Sequence, residues 1–377
     1  MMPLMFTLSI GAQSDGTDKS PHKSGFVTAN NVKLHYLDWG GKGQTLLFLH
    51  GMGDTAHIYD NLAPKFTNQF RVLGLTRRGH GESDIPETGY DTATLVEDLR
   101  QFLDALKIQR AILAGHSFAG DELTRFAVVH PDRVITLIYF DSAYDHSRVP
   151  ESLRFKPLHG GGPELFPTQG ESESLEGARG YIRRLFGEKR GEAIYSMMEG
   201  TYSARAEYGK IKAPALAFFA IGYKKDVDSA EALPEPQRQN VQEFLKAQRK
   251  YHEQEIEHFR REIPNGQVIV FTNAAHNCFI DRENEVVREM RVFLATTSPR
   301  SKAAGSVALD EATVLAIAKA AVTTNDTWIH RAEFERPIHQ PDGSWSVQVW
   351  RRPATPGGHR FITIDAEGRV TQYVRGL

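Results

Sequence analysis

The sequence predicts an α/β protein with a mostly parallel, doubly wound sheet, a small helical cap and a further C-terminal α+β domain. Short apolar runs alternate with helical patterns as far as Leu294, and this alternation is typical of a parallel sheet covered by helices on both faces. One insertion between two of the runs is too long for a simple connection. After Leu294 the composition becomes that of a linker, and another helix and several strands follow.

The strand signals are of two kinds. From Val32, apolar and polar residues alternate with the period of a half-exposed strand. The later runs are continuously apolar, which is typical of buried parallel strands. These runs are TLLFL at Thr45, FRVLGL at Phe70, AILAG at Ala111, RVITLIYFD at Arg133, PALAFFAIG at Pro214 and QVIVFTNA at Gln267.

Helical patterns lie between these runs. In the clearest one, Asp91 or Thr92 caps the start, and the apolar residues share one face of the helix. Those residues are Leu95, Leu99, Phe102, Leu103 and Leu106. A second, charged pattern at residues 234–261 has an apolar stripe that indicates packing against the core.

Composition shifts divide the chain into segments. We expect an α/β domain at residues 26–297 with its cap at about 145–212, a linker at 298–306 and a small α+β domain at 307–377. In the last of these, PDGSW at Pro341 is a hairpin-turn signal. One helix on a curved antiparallel sheet is the simplest fold for this segment, which loosely resembles cystatin-like or peptidase-propeptide-like modules.

Residues 1–25 hold a short apolar run from Pro3 to Ala12, followed by a polar stretch. The run resembles the end of a secretory signal, although no Lys or Arg precedes it, and it is too short to span a bilayer. Two interpretations remain open. The segment is either a signal remnant of a periplasmic or secreted protein or the disordered N-terminus of a cytoplasmic protein.

Bulk composition excludes several function classes. The 377 residues include 45 Lys and Arg against 47 Asp and Glu, for a net charge of −2, so a nucleic-acid partner is not expected. The single cysteine, Cys278, excludes an internal disulfide framework and a cysteine-rich zinc site. No integral membrane segment is expected, and the oligomeric state stays open.

The stretch Gly115-His116-Ser117-Phe118-Ala119 differs from the nucleophile motif G-x-S-x-G at one position, the last, where an alanine stands. Acyl transfer by a serine needs a nucleophile, an imidazole that takes its proton, and N–H donors where the oxyanion forms. Candidates for all three follow predicted strands: Ser117, His276, and the backbone N–H groups of Met52 and Phe118.

Four motifs at strand ends resemble the α/β-hydrolase superfamily over residues of about 26–294, in its serine esterase and lipase-like branch. They are HGMG at His50, RRGHGESD at Arg77, GHSFAG at Gly115 and AAHNCF at Ala274. The resemblance implies that Ser117 is the nucleophile, His276 the general base, and Met52 and Phe118 the oxyanion donors. Ala119 replaces a glycine, but its methyl is the least bulky substitute, so we expect the turn to form.

Two aspartates compete for the role of triad acid. Relatives commonly place the acid after the seventh strand as G-x-x-D, but Asp226 here lies one residue further from Gly222 and next to two lysines. Asp141 instead ends the Arg133 strand, a position that some relatives use. We favour Asp141 slightly, because a rigid strand orients an imidazole better than a loop does.

Other motifs indicate structure more than chemistry. The sequence HGGG at His159 spells an oxyanion motif but lies in the cap. In HEQEIEH the two histidines, His252 and His258, are six residues apart and do not share a helix face, which disfavours a zinc site. The loop around Arg77 and its neighbours resembles a structural loop of the family.

These residues predict a serine hydrolase that cleaves an ester or related acyl bond of a small, fairly apolar substrate through an acyl-enzyme, with no cofactor or metal. Other reactions on the same fold stay open: lactone, amide or carbon-carbon bond hydrolysis, acyl transfer, or noncatalytic binding. A serine nucleophile disfavours the dehalogenase and epoxide-hydrolase branches, which use aspartate. The cap supplies the expected pocket walls Phe166, Tyr181, Leu185, Phe186 and Met197.

Overall fold

Two compact units make up the chain in this computed structural model, Met1–Met290 and Arg291–Leu377. The predicted linker at 298–306 lies outside the described residues, so the expected domain boundary at 297 stays a prediction. The described residues are 20–150, 153, 175–222, 228, 231, 233–235, 237–297, 309–341, 343–355, 358–365, 368 and 370–375.

An eight-stranded sheet forms the centre of the first unit. Its strands are β1 (Lys23–Ala29), β2 (Val32–Gly40), β3 (Thr45–Leu49), β4 (Arg71–Leu75), β5 (Ala111–His116), β6 (Val134–Phe140), β7 (Ala215–Ile221) and β8 (Gly266–Thr272). Their order is β1-β2-β4-β3-β5-β6-β7-β8. β2 pairs antiparallel with β1 and β4, and every other neighbouring pair is parallel. The predicted mostly parallel sheet is confirmed.

The central strands are buried along their whole length. Every residue of β3, β5, β6 and β7 is buried, as expected for parallel strands that are covered on both faces. Because these strands are parallel, their carboxyl ends meet at one edge of the sheet. The loops that follow β3, β5, β6 and β8 therefore come close together, and ligands of open α/β sheets bind at that edge.

In the part of the chain that the structure describes, seven α-helices lie in the first unit or at its border, five of them between strands and two after β8. They are α1 (Thr92–Ala105), α2 (Ala119–Val129), α3 (Leu175–Phe186), α4 (Glu188–Ser203), α5 (Gln237–Glu262), α6 (Cys278–Asp281) and α7 (Glu283–Thr297). None of the described helices is long and apolar enough to cross a membrane. Of the two predicted caps of α1, Asp91 is the one that accepts the Thr94 N–H, at 3.0 Å.

The helices α3 and α4 lie in the long insertion between β6 and β7, where the sequence predicts a cap. Their apolar side chains form a cluster with Met52 and Phe118, which belong to the loops after β3 and β5. The cluster also includes Tyr90, Leu95, Tyr181, Ile182, Ala193, Ile194, Tyr195, Met197 and Met198. The two helices therefore pack over the same edge of the sheet.

The second unit has a helix and an antiparallel sheet, as the sequence predicts. Its elements are α8 (Glu311–Asn325), β9 (Ala332–Phe334), β10 (Ile338–His339), β11 (Trp345–Arg351), β12 (His359–Ile364) and β13 (Val370–Arg375). The order is β10-β11-β12-β13, and β9 also pairs with β11. Val314 and Val322 of α8 share a core with Val347 and Ile362 of the sheet.

Candidate active site

Ser117 lies in the turn between β5 and α2. Its φ is 54°, in the left-handed region that residues other than glycine rarely occupy. The Ser117 N–H donates to the Phe140 carbonyl at 3.2 Å, and the Ser117 carbonyl accepts the Gly120 N–H at 2.9 Å. The backbone thus holds the serine in a strained strand-to-helix turn of the kind that exposes a nucleophile.

Close approach of backbone and side chains around this turn explains its glycines. A Cβ on Gly120 would lie 1.7 Å from the Ser142 carbonyl oxygen, and one on Gly115 would lie 2.7 Å from the Ala119 Cβ. The tightest contact in this turn is therefore at Gly120, one position after the replaced glycine. Ala119 itself is fully buried, and its methyl has room because residue 115 is a glycine.

The His276 imidazole lies between Ser117 and Asp141. Its Nε2 is 2.8 Å from Ser117 Oγ, and its Nδ1 is 2.7 Å from Asp141 Oδ2. The serine and the aspartate are buried, whereas 18% of the His276 side chain is exposed. These three side chains form one hydrogen-bonded row in which the imidazole is the most accessible member.

Asp141 follows the last residue of β6 and has a φ of 47°. While Oδ2 faces His276, Oδ1 accepts the Ala220 backbone N–H from β7 at 2.9 Å. Asp226, the rival acid, lies outside the described residues. The structure brings Asp141 together with Ser117 and His276, and the choice of Asp141 over Asp226 as the catalytic acid stays a prediction.

Comparison with known proteins identifies the architecture. The sequence model of the family described as alpha/beta hydrolase fold matches residues 44–189, which contain the Ser117 turn and Asp141. The first unit has the α/β-hydrolase fold.

Three relatives illustrate how far the similarity extends. The chain is 37% identical over 111 residues to a non-heme chloroperoxidase from Streptomyces lividans, and 30% identical over 143 residues to a soluble epoxide hydrolase from Corynebacterium sp. (strain C12). These alignments cover 29% and 36% of this chain and 40% and 50% of the two relatives, so the chain spans half of their length or less. A probable hydrolytic enzyme from Pseudomonas aeruginosa PAO1 superposes with a TM-score of 0.52 and 19% identity, over 73% of this chain and 95% of that one, which shows the shared fold.

In this α/β-hydrolase fold the loop at residues 50–53 approaches the Ser117 turn closely. A Cβ on Gly51 would lie 2.7 Å from His116 Nδ1 and 3.3 Å from Ser117 Cβ, so a glycine at this position lets the loop come so near. Among the described residues, the backbone N–H groups of Met52 and Phe118 have no hydrogen-bond partner. Unpaired N–H groups next to a candidate nucleophile are what an oxyanion requires.

His50 fixes the peptide that contains one of these N–H groups. Burial is the largest cause that lowers the pKa of His50 well below its ordinary value, with the Arg77 charge acting in the same direction. The ring is therefore neutral, with Nε2 accepting the Arg77 N–H at 3.0 Å and Nδ1 donating to the Gly51 carbonyl at 2.6 Å. The Gly51 carbonyl and the Met52 N–H point in opposite directions from one planar peptide, so this hydrogen bond fixes the direction of the Met52 N–H.

His80 holds the next peptide of the same loop. Its Nε2 accepts the Gly53 N–H at 3.1 Å, and its Nδ1 is 3.1 Å from the Arg78 carbonyl. Burial lowers the pKa of His80 to about 3, so this ring is neutral as well. Burial also raises the pKa of the neighbouring Asp54 to about 7, although the Arg77 charge opposes the shift.

Two buried ion pairs tie the loop after β4 to the helices. Arg77 Nε donates to Glu122 Oε2 of α2 at 2.6 Å, and the Arg77 guanidinium carbon is 5.4 Å from the centre of the Phe118 ring. Arg78 pairs with Asp98 of α1 at 2.5 Å. Loss of one partner of such a pair destabilises a protein strongly, because the other charge stays buried without compensation.

The expected pocket walls lie partly in the apolar cluster of the cap. Tyr181 and Met197 are buried in it, Leu185 and Phe186 pack against it half-buried, and Phe166 lies outside the described residues. Sequence reasoning missed Tyr90, Ile182 and Met198 as members of this cluster. The signal that could have found the last two is helical spacing: Ile182 stands three residues before Leu185, and Met198 stands four residues after Ile194.

In the part of the chain that the structure describes, no group of three His, Cys, Asp or Glu side chains could hold a metal ion. Residues 159–162 lie outside that part. His252 and His258 are both on α5, and the His252 ring centre lies 4.8 Å from that of Tyr144. Tyr144 was itself missed, although it stands only three residues after Asp141.

Proposed function

We propose that this protein is a serine hydrolase that cleaves an ester or related acyl bond of a small, fairly apolar substrate through an acyl-enzyme. The observation that supports this most is the row of hydrogen bonds from Ser117 Oγ to His276 Nε2 at 2.8 Å and from His276 Nδ1 to Asp141 Oδ2 at 2.7 Å. A serine, a base and an oriented carboxylate in this order have the geometry for nucleophilic catalysis.

In the first half-reaction, Ser117 Oγ attacks the acyl carbon while its proton passes to His276 Nε2. The electron pair of the carbonyl moves to its oxygen, which the N–H groups of Met52 and Phe118 stabilise. When the carbonyl re-forms, the bond to the leaving group breaks, and the leaving group takes the proton from Nε2. The product is an ester of Ser117.

In the second half-reaction, water replaces the leaving group. His276 removes a proton from the water as its oxygen attacks the acyl carbon, and then returns that proton to Ser117 Oγ as the acid departs. The Asp141 carboxylate keeps the proton on Nδ1, so Nε2 has its lone pair free, and it stabilises the imidazolium of each intermediate. These steps use only side chains and backbone of the chain, so the proposal needs no cofactor.

The cap supports an apolar substrate. Side chains from α3 and α4, including Tyr181, Met197 and Met198, share one buried apolar cluster with Met52 and Phe118. An acyl or alkyl group next to the proposed oxyanion donors would therefore meet apolar surface, which binds apolar groups by removing their surface from water.

A fluorophosphonate probe tests the proposal, because it reacts rapidly with a serine that a neighbouring base activates. Intact-mass analysis should show one adduct on the wild-type protein and none on Ser117→Ala. Hydrolysis of p-nitrophenyl esters by Ser117→Ala should fall below about a thousandth of the wild-type rate.

Ser142→Ala is the matched control, because Ser142 is also buried at a strand end but its hydroxyl donates to the Gly115 carbonyl at 2.9 Å. That variant should keep the adduct. A wild-type protein that forms no adduct would instead support a noncatalytic binding protein on this fold. Comparing acetate with longer acyl esters then defines the preferred chain length.

A further inference from the structure

Both oxygens of the Asp141 carboxylate are used. Oδ2 is 2.7 Å from His276 Nδ1, while Oδ1 accepts the Ala220 backbone N–H at 2.9 Å and the hydroxyl of Tyr144. Because both donors hold the oxygen that faces away from His276, they prevent the carboxylate from rotating. Of these two donors, only the Tyr144 hydroxyl can be removed by mutation, because the Ala220 N–H belongs to the backbone.

We propose that Tyr144 is a positioning residue of this site: its hydroxyl holds Asp141 with Oδ2 towards His276 and offsets part of the carboxylate charge. This inference rests on the proposed serine-hydrolase function and deepens it. It gives a role to a tyrosine that touches neither Ser117 nor the oxyanion loop.

Packing keeps the Tyr144 ring in place. The side chain is buried, and its ring centre lies 5.4 Å from that of Phe219 on β7 and 4.8 Å from that of His252 on α5. A hydroxyl on a ring that cannot move is a donor of fixed direction, which loses little entropy when it binds the carboxylate.

The helix α5 also holds the backbone next to Tyr144. The Asp145 N–H donates to Glu255 Oε2 at 2.9 Å, and the Asp145 carbonyl accepts the Tyr251 hydroxyl at 3.2 Å. The segment HEQEIEH, which makes no metal site, thus supports the carboxylate through His252 and Glu255. The long connection between β7 and β8, which contains α5, therefore supports the site.

The titratable groups around Asp141 and His276 are neutral near neutral pH, so the effect of Tyr144 on the rate profile can be measured. The titratable side chains that face Asp141 and His276 from other elements are His116, His252, Cys278 and Tyr144 itself. Burial is the largest cause of every shift: it lowers the pKa of His116 well below its ordinary value and that of His252 to about 4, and raises the pKa of Cys278 and Tyr144. All four stay neutral between about pH 5 and pH 8, so none of them adds a step of its own to the rate profile in that range.

Removal of the Tyr144 hydroxyl should shift the pH dependence of the rate in one direction. A carboxylate that has lost a hydrogen-bond donor is more basic and holds an adjacent imidazolium more strongly. The acid limb of the rate profile therefore moves to higher pH. The looser carboxylate also orients the imidazole less well, which slows the reaction at every pH.

The experiment measures the rate of fluorophosphonate labelling at Ser117 between pH 5 and pH 9 in the full-length wild type, in Tyr144→Phe and in Tyr139→Phe. Tyr139 is the matched control, because it is a buried tyrosine whose hydroxyl forms its hydrogen bond with Thr124 Oγ1, at 3.1 Å, instead of with Asp141. We expect Tyr144→Phe to be labelled about tenfold more slowly, with its acid limb about one pH unit higher. Tyr139→Phe should keep the wild-type limb.

Three results would overturn the inference alone while the wild type is labelled: a Tyr144→Phe profile equal to that of the wild type, a slower rate without a shifted limb, or equal shifts in both variants. If Tyr144→Phe does not fold, 3-fluorotyrosine at position 144 keeps the shape and makes the hydroxyl a stronger donor. It should move the limb to lower pH, and an unmoved limb would overturn the inference. An unlabelled wild type overturns the proposed function and this inference together.

Discussion

At the scale of single residues, the candidate nucleophile and the candidate acid share an unusual backbone. Ser117 and Asp141 both follow parallel strands and both have positive φ values, 54° and 47°. Such conformations cost on the order of 1–3 kcal/mol each and persist where the surrounding structure enforces them. Here the strands β5 and β6 enforce them side by side, which points both side chains towards His276.

The acid of the row is open to a direct test with Asp141→Asn and Asp226→Asn. We expect Asp141→Asn to lower kcat for a p-nitrophenyl ester by a factor on the order of 10⁴, because an amide at this place favours the wrong tautomer of His276. Asp226→Asn should leave kcat within about threefold. The reverse result would assign the role to Asp226, and two active variants would mean that another group orients the imidazole.

How much of the site could be predicted differs from residue to residue. Ser117 and His276 stand in local motifs at strand ends, so a single sequence suffices to propose them. The functions that we infer for His50 and Tyr144 depend on which atom faces which carbonyl or carboxylate after folding. No local pattern encodes such a contact between segments, and a tyrosine three residues after an aspartate is an ordinary core residue by composition alone.

At the scale of elements, the contact between α2 and the segment after β6 sets the position of the serine. Gly120 in the first turn of α2 packs against the Ser142 carbonyl so closely that a Cβ would lie 1.7 Å from its oxygen. Ala119 shows that the preceding position tolerates a methyl. The sequence indicates a tight turn here, but only the packed helix shows which of the two positions has no room.

We therefore expect Gly120→Ala to destabilise the protein by about 3 kcal/mol or more, because a backbone atom cannot move aside as a flexible side chain can. Gly180→Ala is the matched control: Gly180 lies in α3, and a Cβ there would meet no atom within 4 Å. That change should be neutral or stabilise by up to about 1 kcal/mol. Urea denaturation of both variants measures the difference, and similar midpoints would contradict the packing argument.

Strong periodic patterns made most elements predictable. The fully buried strands such as β5 and β6 and the one-sided face of α1 follow from the sequence, since burial alone dictates their residues. The packing partners of α5 could not be predicted. Its apolar stripe indicates that the helix packs against the core but does not show which residues it contacts. Its partners include Asp145 and Tyr144, more than 100 residues earlier in the chain.

At the scale of the whole molecule, each of the two units has its own hydrophobic core. Leu113, Leu137 and Phe219 belong to the core of the first, and Val347 and Ile362 to that of the second. All the residues that the proposed reaction uses belong to the first unit, Met1–Met290. A unit with its own core can fold without its neighbour.

The last prediction is that residues 1–297 alone fold and are labelled at Ser117 by the fluorophosphonate probe at a rate within about twofold of the full chain. The cut follows Thr297 so that α7 stays whole, because a cut after Met290 would remove the buried side chains of Phe293 and Leu294 from that helix. Thermal unfolding and intact mass of the two proteins provide the comparison. Aggregation of the shortened chain, or the absence of an adduct on it, would mean that the second unit is needed for the fold of the first. A shortened chain that folds and reacts but prefers different acyl chain lengths would instead assign the second unit a part in substrate selection, because the proposed catalytic residues are the same in both proteins.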